Sequence, residues 1–400
     1  MKRVLFVLER LKTQNSPNAL CVVNIAEYMR RLGVIKIDYL SWEDEVFVDE
    51  PQKGRYFLCR QKPQRDIIRK IVKIKKMPLS DILITKELAK KIILLQEQNK
   101  YNLIVAVMNP PETAEALYRA KMKNRDINYI LYEIDPNSNR YKEPMPILNR
   151  YLMWKAIKWE KKVYTKADYI IHMCSHKQHY SALCFKQFEN KTIYLDIPGL
   201  TMDCYESKNK GIPNTFLYTG AFYPDLRSPN RMIYIMSRYI NCYGGLFDIY
   251  TKTMHKVIRS LINRYNISEH ILLHNAISKE EIGREIRKRE ILISVGNKNS
   301  DFVPSKTLDY IGTNKKIIHF YSDDKDVSIP YLKKYKKCLF IKDSVSPDAA
   351  VVLIDKFIND KDYPNWGKNE LEQMFQCNTP RYTANSLINV IQKVEENSYD

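Results

Sequence analysis

The sequence predicts an α/β protein made of two successive Rossmann-like domains facing a cleft, with a C-terminal helical segment. Three observations carry that reading. Short apolar runs alternate with helical patterns along the whole 400-residue chain. These runs are continuous rather than alternating, which marks parallel strands covered on both faces. One polar stretch with Pro and Gly at both ends, "PGLTMDCYESKNKGIP" at 198–213, interrupts the alternation near the middle, and a chain this long exceeds one typical core.

The elements follow in order. "RVLFVLE" (3–9) reads as a buried strand, and "ALCVVNIAEYMRRLG" (19–33) as a helix with Gly33 as its C-cap signal. "IKIDYL" (35–40) is the next strand, and a basic insertion follows it. A helix over 81–98, a strand over 103–108, a helix opened by Pro111 and a strand over 129–134 come next. A long helix over 147–164, a strand over 168–173, a helix from Ser175 and a strand over 191–195 complete the first half. After the linker the alternation restarts with "TFLYTG" (215–220), and strands follow at 246–250, 271–274, 290–296, 316–321 and 338–341 with helices between them. A helical pattern closes the chain near 383–396. The domains are expected at 1–198 and 213–380, with 381–400 packing back on the first. Sheets of this kind bind ligands beyond the carboxyl ends of their strands.

Composition narrows the function. The apolar fraction is 44%, as in globular proteins, and no uncharged apolar run reaches the ~18 residues of a membrane-spanning helix. The opening "MKRVLFVLERLK" is charged too soon for a signal peptide and reads as a strand. Eight Cys lie scattered with no Cys-x-x-Cys pair, so free thiols in a reducing, cytoplasmic compartment are expected rather than zinc. The net charge of +19 is uneven: residues 1–195 carry 36 Lys+Arg against 21 Asp+Glu, and residues 196–400 carry 29 against 25. Residues 51–100 alone hold 14 basic and 4 acidic residues. Such asymmetry implies an anionic partner. "IIRKIVKIKK" (67–76) sets Ile67, Ile71 and Ile74 beside Arg69, Lys70, Lys73 and Lys76; it reads as a helix on an anionic membrane surface or as an ordinary amphipathic helix. The chain has 28 Tyr and a pI near 9.3, but no zinc finger, basic zipper or aromatic–basic RNA signature, so nucleic acid is not expected.

The stretch "FVPSKTLDYIGTNKKIIHFYSDDKD" (302–326) concentrates the chemistry. A strand ending at Gly296-Asn297 leads through a loop to a helix over 305–311. Ser305 and Lys306 then stand at a helix N-terminus on the carboxyl edge of a sheet, where phosphate is attracted; the plain alternative is a Ser305 cap and a solvated Lys306. Asp324-x-Asp326 has the form of a metal-diphosphate motif but is short and common. It reads as a solvated loop, and no metal is expected.

"VGNKNSDFVPSKTLDYIGTNKKII" (295–318) resembles the nucleotide-sugar signature of GT-B glycosyltransferases, close to glycosyltransferase family four of the bacterial surface-polysaccharide type. Pro304, Ser305, Lys306, Asp309 and Tyr310 occupy the matching positions, with Asn297 and Thr307 beside them. Asp301 and Asp309 stand where the family has two Glu. "TFLYTGAFYPDLRSPNRM" (215–232) resembles the opening of the donor domain, with Gly220 and Arg227 facing the phosphates. "LLHNAISKEEIG" (272–283) resembles the base-binding turn, at Asn275, Ala276 and Ile277. "SPNALCVVNIAEYMRRLG" (16–33) resembles the acceptor-side loop and helix. The resemblance implies a metal-independent glycosyltransferase with a nucleotide-sugar co-substrate and no bound cofactor. Arg227 and Lys306 would hold the diphosphate, Asp309 the ribose and Asp301 the transferring sugar. A glycan or polyisoprenoid-linked acceptor at the inner membrane face would sit on the first domain. There, "YEIDPNSNRY" (132–141) offers Glu133 or Asp135 as an acceptor-orienting group, or turn chemistry around Asp135. His172, at the end of strand 168–173, reads as catalytic or structural. His176 and His179 lack a third metal ligand. A non-catalytic relative that kept the fold is the alternative.

Overall fold

The computed structural model describes residues 1–11, 17–42, 54–59, 80–138, 146–206, 211–298 and 301–396. The segment 67–76 lies outside them. Two compact units divide the chain: Met1–Pro198 with Cys377–Asp400, and Gly199–Gln376.

The first unit holds a seven-stranded sheet in the order β3-β2-β1-β4-β5-β6-β7. Its strands are β1 (Lys2–Val7), β2 (Ile35–Ser41), β3 (Arg55–Leu58), β4 (Leu103–Val107), β5 (Tyr129–Glu133), β6 (Tyr169–Met173) and β7 (Thr192–Leu195). All pair in parallel. The central β4 and β5 are buried at every residue; β4 is wholly apolar, as a strand covered on both faces requires, and β5 is apolar up to Glu133. Edge strand β3 falls inside the basic insertion and was not expected. Arg55 secures it by donating to Asp38 of β2 at 2.7 Å, a carboxylate that Arg3 and the Tyr101 hydroxyl also bind.

The helix Pro380–Glu396 packs on the helix Pro17–Arg31. Ala384, Leu387, Ile391 and Val394, at helical spacing, join Val22, Ile25, Ala26 and Met29 in one core on one face of the sheet. Each large buried side chain there contributes roughly 1.5–3 kcal/mol, so the chain end is an integral layer of the first unit.

The second unit holds a six-stranded parallel sheet in the order β10-β9-β8-β11-β12-β13. Its strands are β8 (Ile212–Thr219), β9 (Leu246–Thr251), β10 (Ile271–Asn275), β11 (Arg289–Val295), β12 (Lys316–Tyr321) and β13 (Cys338–Lys342). Strand order reverses between β8 and β11. In such sheets the loops leaving the two strands at the reversal diverge to opposite faces and open a crevice at their carboxyl ends. The helices Asn230–Tyr243 and Pro347–Asn359 bury Met232, Ile235, Met236, Tyr239, Ile354 and Phe357 in one core with Phe216, Phe247 and Ile293 of the sheet. All eight cysteines are free thiols.

Candidate functional site

The crevice at β8 and β11 gathers several of the residues singled out from the sequence. Strand β8 is followed by Gly220, whose φ of +137° favours glycine. The next residues fold back: Tyr223 and Arg227 exchange backbone hydrogen bonds of 3.0 and 2.9 Å. Phe222, stacked on Tyr218 with ring centroids 4.2 Å apart, fastens this loop to the core. Its N–H donates to the Thr253 hydroxyl at 2.8 Å. A Cβ on Gly220 would meet Tyr218 and Arg227 only at ordinary contact distances, so the backbone angle, not crowding, is what favours glycine here.

Arg227 reaches across to the loop after β11. It donates from Nη2 and Nε to Asn297 Oδ1, at 2.7 and 3.1 Å. Asn297 is buried and donates from Nδ2 to Phe302 O at 2.9 Å. Lys298 N donates to Leu226 O at 2.8 Å, a second link between the same loops. A cavity of about 690 Å³ opens beside Arg227, with Arg231, Lys298, Gly296, Tyr321 and Asp343 in its wall. Burial raises the Asp343 carboxyl above its ordinary range, while the charges of Arg231 and Lys298 act against that shift. Arg231 and Lys298 were not singled out from the sequence; Arg231 lies in the first turn of the helix that follows Arg227.

The helix Ser305–Ile311 starts after Pro304, and no side chain caps it. Lys306 is half-buried and, among the described residues, makes no hydrogen bond or salt bridge. Asp309, one turn on, is half-buried too. Burial raises its carboxyl above the ordinary range; the charges of Lys306 and Lys279 lower it, and that of Asp203 raises it. Lys279 opens the helix Lys279–Lys288, which Ser278 and Glu281 cap reciprocally. Asn275, Ala276 and Ile277 are exposed immediately before it, at the carboxyl end of β10. Asp301 is half-buried in the loop before Pro304. Thr307 is buried and its hydroxyl donates to Ser328 Oγ at 3.4 Å, so that side chain is turned into the fold.

Three sequence readings change. Asp326 is not a solvated loop residue: it is buried, accepts from Ser328 N at 2.8 Å, and lies 3.1 Å from His319 Nε2, whose Nδ1 is 3.0 Å from Ser294 Oγ. A Cβ on Gly296 would fall 1.7 Å from Asp326 Oδ2. The carboxylate therefore shapes the turn that presents Asn297. Asp324, by contrast, is exposed and paired with Lys342. The described residues include no group of three or more His, Cys, Asp or Glu able to hold a metal ion.

His172 is the second. It is buried, its Nδ1 is 2.9 Å from Glu133 Oε2, and its ring stacks on Tyr180 at 3.6 Å. Tyr164 also donates to Glu133, at 2.7 Å. Burial works to raise the Glu133 carboxyl, but His172 and the tyrosine hydroxyls outweigh it and hold the group low. The imidazole is thus part of the core of the first unit rather than an open group. The third is the β5 turn. Glu160 accepts there from Asn137 N and Ser138 N at 3.0 and 2.8 Å, so a buried helix carboxyl from outside "YEIDPNSNRY" organises it. Asp135 is half-buried in that turn.

Comparison with known proteins bears on the fold. No family model matches the chain, and a comparison with curated proteins found no match. Solved structures do match. Sucrose-phosphate synthase from Thermosynechococcus elongatus superposes with a TM-score of 0.67 at 11% identity, covering 99% of this chain and 100% of that one. The lipopolysaccharide outer core galactosyltransferase WaaB gives 0.59 at 10% identity, covering 98% and 99%. The S. aureus MnaA–UDP co-structure gives 0.56 at 11% identity, covering 98% and 96%. The chain has the GT-B fold. At such identities the likeness is one of fold, and the functional reading rests on the site.

Proposed function

We propose that the chain is a metal-independent glycosyltransferase that moves a sugar from a nucleoside diphosphate donor to a lipid-linked or surface-polysaccharide precursor. The observation that carries this is the guanidinium of Arg227, fixed by Asn297 at the strand-order reversal of the second unit. Lys306 stands on the helix that follows the same loop. A diphosphate leaving group gains negative charge as the glycosidic bond to it breaks. Fixed cations stabilise that charge without reorganising. Asp309 suits ribose hydroxyls and Asp301 the sugar. The backbone at Asn275–Ile277 suits the base.

In this reading the acceptor belongs to the first unit, with Asp135 as its orienting carboxylate. The excess of basic residues in that half supports work at an anionic inner membrane face. No described helix is long and apolar enough to cross a bilayer. The fold is shared with sugar transferases and with a protein solved with UDP, which favours a uridine nucleotide sugar among the donors. The test is release of nucleoside diphosphate from a panel of nucleotide sugars in the presence of a bacterial lipid extract, with radiolabelled sugar recovered in the lipid phase. Nucleotide binding with no transfer for any donor would instead identify a non-catalytic relative.

A further inference from the structure

The helix Ile147–Tyr164 has two unlike faces. Its inner face is fixed: Trp159 is buried and donates to Glu115 at 3.2 Å, Glu160 holds the β5 turn, and Lys162 bonds Glu115 at 3.0 Å. Its outer face, by contrast, shows large apolar side chains to solvent. Ile147 is 87% exposed, Leu148 59%, Tyr151 45% and Trp154 55%. Ile147, Tyr151 and Trp154 recur at helical spacing, so they form one stripe about 10 Å long. Tyr151 and Trp154 stack with centroids 6.0 Å apart.

Cations frame this stripe. Lys155 Nζ lies 5.0 Å from the Tyr151 ring centroid, and Lys158 Nζ lies 5.4 Å from that of Trp154. The helix carries five basic residues against the single buried acid Glu160; Lys155 is itself buried and Lys162 bonds Glu115, which leaves Arg150, Lys158 and Lys161 as the cations that reach solvent beside the stripe. Apolar and aromatic side chains ringed by ammonium groups match the boundary of an anionic bilayer. The rings enter the headgroup region, and the lysine heads stay at the phosphates. An exposed patch of this size costs solubility unless something covers it.

We infer that the outer face of the helix Ile147–Tyr164 is a docking surface for an anionic lipid membrane. This deepens the membrane part of the proposed function by naming a surface. It does not depend on sugar transfer, and it is separate from the segment 67–76.

The test uses the full chain with vesicles of phosphatidylcholine, with and without phosphatidylglycerol. The chain is expected to sediment with the anionic vesicles, to be released by salt, and to ignore the neutral ones. Lys158→Gln with Lys161→Gln removes two surface charges, and vesicle affinity is expected to fall about thirtyfold, taking about 1 kcal/mol per charge. Tyr151→Gln with Trp154→Gln is expected to abolish sedimentation while leaving nucleoside diphosphate binding by the second unit unchanged. Because all four side chains project outward, the melting temperature is expected to hold, and either pair alone suffices as a test. Brominated lipid should quench tryptophan emission in the wild type, and Trp154→Phe should remove that quenching, since Trp42 and Trp159 are buried and the half-buried Trp366 belongs to the second unit, its indole donating to Tyr335 O. Unchanged vesicle affinity in either pair overturns the inference. So does concentration-dependent self-association that the Tyr151/Trp154 pair abolishes without any vesicle binding, which would make the face a contact between copies.

Discussion

Asn297 holds Arg227 by a forked hydrogen bond, Nη2 and Nε both donating to one amide oxygen. The amide of Asn297 is itself held by Phe302 O. A guanidinium fixed in this way loses little side-chain freedom when an anion arrives, and a neutral partner leaves its full charge available. Had a carboxylate held Arg227, that charge would already be compensated.

A double-mutant cycle tests this relationship. Arg227→Ala is expected to weaken nucleoside diphosphate binding by about 1.5–3 kcal/mol, the range for a hydrogen bond to a charged group. Asn297→Ala should cost less, and the double variant little more than Arg227→Ala alone, because Asn297 acts through Arg227. Calorimetry reads all three. Fully additive losses would mean that Asn297 contacts the ligand independently.

Gly296→Ala should destabilise the fold and misplace Asn297. The new methyl would fall 1.7 Å from the buried Asp326 carboxylate, and overpacking of this kind typically costs about 1–3 kcal/mol. A lower thermal midpoint together with weaker nucleotide binding is the expected outcome.

The two aspartates of the Asp-x-Asp motif should behave oppositely. Asp324→Ala should shift stability by no more than about 0.5 kcal/mol, as an exposed residue. Asp326→Ala should unfold the second unit at lower temperature. Burial opposes ionisation of Asp326, but His319 and the Ser328 N–H outweigh it and lower its pKa below the ordinary 3.8. Its contribution to stability is therefore present above that value and lost as pH falls through the lower folded value. Wild type and Asp326→Ala should converge in stability under those acidic conditions. Excess chelator should leave transfer unaffected; its abolition, with that of Asp326→Ala, would point to a metal-dependent site.

Lys337 acts at the alkaline end, with the same pH slope, but as a destabilising group. Burial, with the nearby charges of Lys316 and Lys315, lowers its pKa from 10.5 to about 8; its ammonium donates to Asn314 O at 2.6 Å. Between those two values the unfolded chain binds more protons than the folded one, so this residue makes stability rise with pH. Lys337→Met should be the more stable form at pH 7, by on the order of 2–3 kcal/mol. The gap should narrow as pH climbs from 8 to 10.5. Denaturant melts at several pH values read it directly, and a gap independent of pH would contradict it.

The sequence was most legible where a single physical rule decides. Strand β4 is a continuous apolar run, β5 and β11 carry apolar runs at 129–132 and 291–293, and the helix over 147–164 is bounded as its periodicity predicts. The edge strand β3 has four residues and no fully buried one, so no apolar run announced it; cross-strand bonds from Arg55 to Asp38 create it. The family resemblance singled out Gly220, Arg227 and Asn297, but their mutual geometry required the fold. Asp326 was misread, and the two readings of His172 stayed open, for one reason: local sequence gives polarity, whereas burial depends on partners such as His319 and Glu133 from neighbouring strands. The docking face was hidden in the converse way, because apolar residues at helical spacing read as core until the buried side of the helix is known.

The most direct measurement of the central claim is calorimetric titration of the full chain with a panel of nucleoside diphosphates, repeated for Arg227→Ala and Lys306→Ala. The account expects at least one diphosphate, a uridine nucleotide first, to bind the wild type, and each variant to bind it more weakly by about 1.5–3 kcal/mol while keeping its melting temperature. Binding that both variants retain at full strength would contradict the diphosphate site at the β8–β11 crevice.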